Sequence, residues 1–502
     1  MSIKRLVSND EELVNGLGSE HYTDGATGNH MARKDTRWVT TDGKLNINSI
    51  STLKHDGIHD PIDSQENTSP GQLYSTQSGK LFHAGKIMIV LVGLPASSKT
   101  LLSVAISRYS RWLGVRTESF HASEYRKDKE HIPDDYYSAV PQTQEGRDFK
   151  TNIIESTYNA MANFYQNLNG QLAIYDALNI RRSDRKNIET VFSKLNVKVL
   201  FIESIINNEQ LMKQNIMTAS QSSEFQGLTT EEATEIYMKR LSINKPLYEE
   251  MTKQEKLCYV KYYNFGEKII VNNNHGGYLI NKIVYFLMNI RNKKGRVFFA
   301  RCGTSNDDRY MDDEFLNDEG LRFAKSLTKL VIDRFEKNKK ENIDKNISSN
   351  DKNEALTVLT APRKRAYDTA KYFKDYDIPV IIRSELQQQR PGLIADMNEE
   401  QIKEKFPMEY EECLKDPYHF RFPRAESYHD LSIRMEPLLL EMERLSGDVL
   451  IVGHDSTLRV LYGYFMASNS MEVPKIDFSR NELVEITFTP FQNEVTRIPI
   501  VY

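Results

Sequence analysis

Cysteine is scarce in this chain. Cys258, Cys302 and Cys413 are the three thiols of 502 residues, too few and too scattered for a disulfide framework or a zinc cluster. An excess of either charge is also lacking: 66 Lys plus Arg stand against 70 Asp plus Glu, a net charge of −4. A nucleic-acid backbone calls for a concentrated basic face, so nucleic acid is not expected as the main partner. Long apolar runs are missing too. The run at 87–92 falls far short of the roughly 20 residues that span a bilayer, so no membrane association is expected. No long apolar stretch follows Lys4 and Arg5, which argues against a secretory signal. These absences point to a reduced, cytoplasmic protein, and the length points to two or three domains.

Residues 1–84 are rich in Ser, Thr, Asn, Asp and Gly, without helical or strand periodicity. Such composition does not offset the entropy of ordering, so a disordered N-terminal tail is expected. Ser8, after Lys4 and Arg5, and Ser69, before Pro70, are candidate phosphorylation sites in it; a merely solvated tail is the plainer alternative. At 85 the texture changes. "KIMIVLVG" is a continuous apolar run closed by glycine, as in a buried parallel strand. Leu101, Ala105, Tyr109, Trp112 and Leu113 then recur at helical spacing, with Gly114 as a C-cap, and read as helix core. "VRTESFHA", "QLAIYDA" and "KVLFIES" supply further strands. Strands alternating with helices define a doubly wound α/β unit with a parallel sheet over 85–290. A second α/β unit, 291–502, carries strands in "GRVFFARCG", "ALTVLTA", "IPVIIRS" and "DVLIVGHD". Within it, 336–354 has almost no apolar residues and reads as a flexible insertion.

The stretch "GLPASSKT", 93–100, sits between the first strand and helix, the context a phosphate-binding loop requires. In such a loop backbone N–H groups wrap the phosphates, the lysine bonds the outer ones and the hydroxyl holds magnesium. Gly93, Lys99 and Thr100 match the pattern; the second glycine is replaced by Ser98. If that position is left-handed, the added Cβ costs about 1–2 kcal/mol. Hydroxyls of Ser97 and Ser98 are candidate phosphate donors in partial compensation. A relic turn that binds nothing is the alternative. Asp176 ends a later apolar strand; an acid there faces the loop magnesium or activates an acceptor hydroxyl, unless it is simply a solvated strand end. His121, before "SEYR", reads as structural or solvated.

In the second unit Arg301 ends a strand beside Cys302, Arg365 follows another strand in "TAPRKRAYDTA", and His454 follows a third in "IVGHDSTLR". Arginines and central residues converging at strand ends form a phosphate pocket. Histidine phosphatases place Arg-His-Gly at the first of these; here the histidine is Cys302. Over about 86–490, "GLPASSKT", "SEYRK", "YDALN", "FIES", "YMKRLS", "KIVYFLMNI", "FPMEY", "RFPRAESYHDL" and "GHDSTLR" resemble the bifunctional 6-phosphofructo-2-kinase/fructose-2,6-bisphosphatases. The resemblance implies a P-loop kinase domain followed by a histidine-phosphatase-like (phosphoglycerate-mutase-like) α/β domain. It implies ATP and Mg2+ held by Gly93, Lys99, Thr100 and Asp176, with Asn215 at an ATP contact, Thr100 and Asp176 as the magnesium side, and Lys99 and Asp176 as the kinase's catalytic pair. Fructose 6-phosphate would meet Arg240, Lys127 and Lys150. Fructose 2,6-bisphosphate would meet Arg301, Arg365, His454 and Arg459, with Arg421 and Tyr428 on the sugar. Family members commonly dimerise, so a homodimer is an expectation.

The departures from the family are many. Lys127 and Lys150 stand for arginines, Leu178 for a threonine, Asp184 for an arginine, Asn244 for a tyrosine and Ser220 for a lysine of the ATP site. Cys302 occupies the nucleophile position, Ala395 that of the acid/base glutamate, with Asp396 next door, and Cys413 and Pro417 those of two basic contacts. A cysteine phosphatase needs an arginine six positions on, where Asp308 stands, with Arg309 one residue late. Flanking cations can lower a thiol pKa, but Asp307, Asp308, Asp312, Asp313 and Glu314 would repel an anionic bisphosphate. The bisphosphatase reaction is therefore expected to be lost. Three functions remain open: a kinase with weakened chemistry, a pseudoenzyme sensing nucleotide or sugar phosphate, and a scaffold docked through its tail.

Overall fold

The computed structural model describes residues 38–40, 85–126, 131–220, 223–225, 227–273, 277–291, 293, 295–306, 310, 315–344, 355–488 and 493–502. Its first element, β1 (Trp38–Thr40), belongs to a sheet formed mainly by the end of the chain. The disordered tail expected over 1–84 is thus corrected at 38–40, where pairing with the end of the chain supplies the backbone hydrogen bonds; the remainder, with its candidate phosphorylation sites, lies outside the described residues.

The first unit is organised by β2 (Lys86–Val92), which runs parallel between β4 (Leu172–Asp176) and β5 (Val197–Ile205). β3 (Thr117–His121) closes one edge beyond β4; β6 (Tyr259–Tyr263) and antiparallel β7 (Lys268–Asn272) close the other. Ile87, Ile89 and Leu91 enter one apolar core and Met88, Val90 and Val92 another, so β2 is covered on both faces and its apolar run is uninterrupted. The helices are α1 (Lys99–Trp112), α2 (Gln144–Gln166), α3 (Arg182–Ser193), α4 (Glu209–Ser220), α5 (Thr230–Asn244) and α6 (Tyr278–Asn289).

The second unit repeats the logic. β8 (Val297–Arg301), β9 (Thr357–Thr360), β10 (Val380–Ile382) and β11 (Val449–Gly453) are parallel, and the antiparallel pair β12 (Glu482–Phe488) and β13 (Asn493–Pro499) extends the sheet toward β1. Between them run α7 (Asp318–Asp344), α8 (Lys364–Ala370), α9 (Glu399–Lys405), α10 (Pro407–Lys415), α11 (Tyr428–Arg444) and α12 (Asp455–Phe465). The flexible insertion expected over 336–354 is corrected in its first part: α7 continues to Asp344. Lys and Glu are good helix formers, and extending a nucleated helix needs no apolar face. Residues 345–354 lie outside the described residues.

One apolar core joins the two units. Tyr109 of α1 stacks on Phe286 at 4.2 Å, and Trp112 meets Tyr464 edge-on at 5.5 Å. Arg108 pairs with buried Glu443, which also accepts the Tyr464 hydroxyl at 2.8 Å. Thus α1 and α12 pack together at the junction.

Candidate active sites

The turn after β2 is shaped for an anion. Gly93 has φ +150°, and a Cβ there would lie 2.6 Å from the Ser204 carbonyl oxygen, so glycine is required. Ala96 (φ +62°) and Ser98 (φ +61°) are both left-handed. The conformation that penalises serine at this position is therefore present, but Ser98 is braced: Asn215 Nδ2 donates to its Oγ at 2.8 Å and to the Ala96 carbonyl at 2.7 Å. Lys99 Nζ donates to the carbonyls of Gly93 (2.9 Å) and Leu94 (2.7 Å) and to Ser97 Oγ (3.3 Å). Burial lowers its pKa to about 8, against the opposing pull of Asp176. Strand register sets the acid: Asp176 is paired with Leu91 on one side and His121 on the other. Its Oδ2 accepts Thr100 Oγ1 at 2.8 Å and meets His121 Nδ1 at 3.0 Å. Burial raises its pKa, but the His121 hydrogen bond and charge, with Lys99 and Thr100, outweigh burial and hold it below the ordinary value. His121 is thus buried within the site rather than solvated.

These donors fit a magnesium–polyphosphate group. Left-handed loop N–H groups and an ammonium suit phosphate oxygens, and Mg2+ is commonly held by one or two carboxylates plus phosphate and water oxygens. Thr100 and Asp176 supply that small oxygen set.

Beyond the loop, the residues matched to sugar-phosphate contacts are engaged by the protein itself. Arg126 and Arg240 both reach Glu224 Oε1, at 2.7 and 2.8 Å, and Tyr137 donates to the same oxygen at 3.0 Å. Arg240 also lies 3.6 Å over the Tyr137 ring. Asn244 is buried and fully engaged: its Oδ1 accepts Ala139 N–H at 2.7 Å and its Nδ2 donates to the Tyr137 and Arg240 carbonyls. Lys150 donates to the Ser138 carbonyl at 2.5 Å, and burial lowers its pKa to about 8 despite the nearby Asp184. Ser220 bonds the Met217 carbonyl. Lys127 lies outside the described residues.

In the second unit β8 and β11 pair Arg301 with Gly453, so the residues that follow, Cys302 and His454, meet at 3.7 Å between Sγ and Nδ1. Both are buried. Arg365 reaches Ser305 Oγ at 3.1 Å, and Arg301 the Phe478 carbonyl at 3.0 Å. Arg459 is buried, donating to Tyr428 Oη at 2.7 Å and the Ile476 carbonyl and pairing with Asp455. Arg421 is exposed, 3.5 Å from Asp430. Ala395 follows a short 3-10 turn, and Asp396 is occupied by the Tyr310 N–H at 2.7 Å. A cleft beside these residues is lined by Arg390, Ile394, Cys413, Pro417, Arg421 and Phe422. Burial, with Asp416, pushes the Cys413 thiol up to about 12, so it brings no charge to this cleft. No role was assigned from the sequence to Tyr137, Ser204, Glu224 or Tyr237, although Ser204 ends "FIES" and Tyr237 opens "YMKRLS"; their contacts span up to 141 positions along the chain.

The fold and the two sites define a P-loop kinase joined to a histidine-phosphatase-like domain. Comparison bears this out: the 6-phosphofructo-2-kinase family model matches residues 74–294, and that of the histidine phosphatase superfamily (branch 1) matches 347–500. A Saccharomyces cerevisiae protein assigned by name to the bifunctional enzymes is 54% identical over 505 residues, covering 99% of both chains. The rat 6-phosphofructo-2-kinase/fructose-2,6-bisphosphatase 4 is 28% identical over 83% of this chain and 85% of its own. The Saccharomyces cerevisiae fructose-2,6-bisphosphatase is 28% identical over 82% and 88%. The chain belongs to the 6-phosphofructo-2-kinase/fructose-2,6-bisphosphatase family. Among the described residues, no helix is long and apolar enough to cross a membrane.

Proposed function

We propose that the chain acts in fructose 2,6-bisphosphate metabolism through its first unit, binding Mg-ATP in the 93–100 loop and retaining a slow 6-phosphofructo-2-kinase activity. The second unit then no longer hydrolyses the bisphosphate. The Thr100–Asp176 hydrogen bond of 2.8 Å beside buried Lys99 carries the reading, because it leaves the phosphate and magnesium end of the site equipped. Positioning and charge stabilisation supply most of phosphoryl-transfer catalysis, so these groups can support slow turnover when the acceptor end is poor. Loss of hydrolysis follows from a buried thiol at the nucleophile position and from Ala395, which has no proton to give.

A second reading is an inactive sensor of nucleotide or sugar phosphate. It is favoured by Glu224, whose carboxylate already pairs with both Arg126 and Arg240, and by Asn244, whose amide is consumed in the fold. Purified protein supplied with Mg-ATP and fructose 6-phosphate separates the two when the acid-labile bisphosphate is assayed beside Lys99→Ala. Product lost in the variant establishes the kinase; ATP binding without product leaves the sensor; no binding retires the kinase and the nucleotide sensor.

A further inference from the structure

The phosphate loop carries an internal ligand. The N–H of Ala96, at left-handed φ +62°, donates to the phenolic oxygen of Tyr237 at 3.2 Å. Left-handed residues in such a loop turn their N–H groups toward one concavity that receives an anion. The Tyr237 oxygen therefore engages a donor that an entering phosphate would use. The contact continues outward: the Tyr237 ring lies 6.2 Å from Phe225, Phe225 lies 5.1 Å from the Arg240 guanidinium, and Arg240 ends on Glu224 at 2.8 Å. Tyr237, Arg240 and Asn244 stand three and seven residues apart on α5, one face of a helix. That face touches the phosphate loop, Glu224 and the 137–139 segment.

We propose that Tyr237 is an internal gate on the nucleotide site, coupling it to the acceptor side through α5. Its hydroxyl accepts the Ala96 N–H and yields it to a polyphosphate. Its displacement moves the helix face that carries Arg240, withdrawing the guanidinium from Glu224 and freeing it for an anionic acceptor. A charged phosphate oxygen is a stronger acceptor than a neutral phenol, so entry proceeds at reduced affinity. By linkage, an anion that draws Arg240 from Glu224 tightens nucleotide binding by the same factor. The inference rests on the nucleotide reading above.

Calorimetric titration of wild type and Tyr237→Phe with Mg-ADP tests it, with adenosine as the phosphate-free control. The variant keeps the ring packing and loses the hydroxyl. Mg-ADP is expected to bind it roughly three- to tenfold more tightly, with adenosine unchanged. Hydrogen exchange at 223–225 is expected to rise on Mg-ADP binding in the wild type and to lose that response in the variant. Equal Mg-ADP affinity overturns the gate and leaves the nucleotide reading intact, as does an equal gain for adenosine, which would report packing. Failure of both proteins to bind Mg-ADP overturns both.

Discussion

Lys99 is a buried ammonium whose three hydrogen bonds all go to its own loop, with a pKa lowered to about 8. Bound phosphate oxygens favour the charged form and raise that pKa, so nucleotide binding takes up a proton wherever free Lys99 is neutral. The sign follows: the contribution of charged Lys99 to Mg-ADP affinity is present below pH about 8 and is lost as pH rises through it. Titrations across pH 6.5–9.5 check it, and a flat profile contradicts it. In the other unit, Cys302→His alone is expected to release no phosphate from fructose 2,6-bisphosphate, because Ala395 still has no acid. Release by that single variant would assign the acid elsewhere, with Asp396 the first candidate. At this scale the positions that meet in each candidate site could be named from the sequence, since Gly93, Lys99, Thr100, Asp176 and Cys302 sit in contiguous strings. Glu224 and Tyr237 could not, because their meaning comes from partners brought close only by folding.

The loop at 93–100 and α4 act as one element. A left-handed serine costs about 1–2 kcal/mol, while the hydrogen bond from Asn215 contributes about 1 kcal/mol. Ser98→Gly removes both terms and should shift stability by less than about 1 kcal/mol. In an Asn215→Ala background the same change should stabilise by about 1 kcal/mol or more, and urea unfolding of the four proteins measures the difference. Additive effects would show that Asn215 does not brace Ser98. Elements buried on both faces were plain from their apolar runs, as in β2, β8 and β11. The β6–β7 and β12–β13 pairs were not read: Lys261, Lys268, Glu485 and Arg497 interrupt the apolar pattern, and β7 is largely exposed. The helical part of 336–344 was missed because a polar helix and a polar loop share a composition.

Across the whole molecule, α1 begins at the phosphate loop, α12 begins after His454, and the two helices pack at the junction of the units. The buried Arg108–Glu443 pair joins α1 to α11 beside them, and Tyr464 of α12 also bonds Glu443. Removing one member leaves the other charge without its partner in the interior, which costs about 3–5 kcal/mol. Arg108→Ala should therefore lower the calorimetric unfolding temperature and separate the units into two transitions; an unshifted single transition would contradict this. Burial alone would raise the Glu443 pKa, but Arg108, Lys293 and Tyr464 hold it below the ordinary value. Its contribution to stability is thus complete above the usual glutamate range and is lost as pH falls through the depressed value.

Calorimetric titration of the full chain with Mg-ATP, beside Lys99→Ala, tests the central claim most directly. Saturable binding by the wild type that disappears in the variant is the predicted result. No binding by either protein, or equal binding by both, would contradict a working phosphate loop at 93–100.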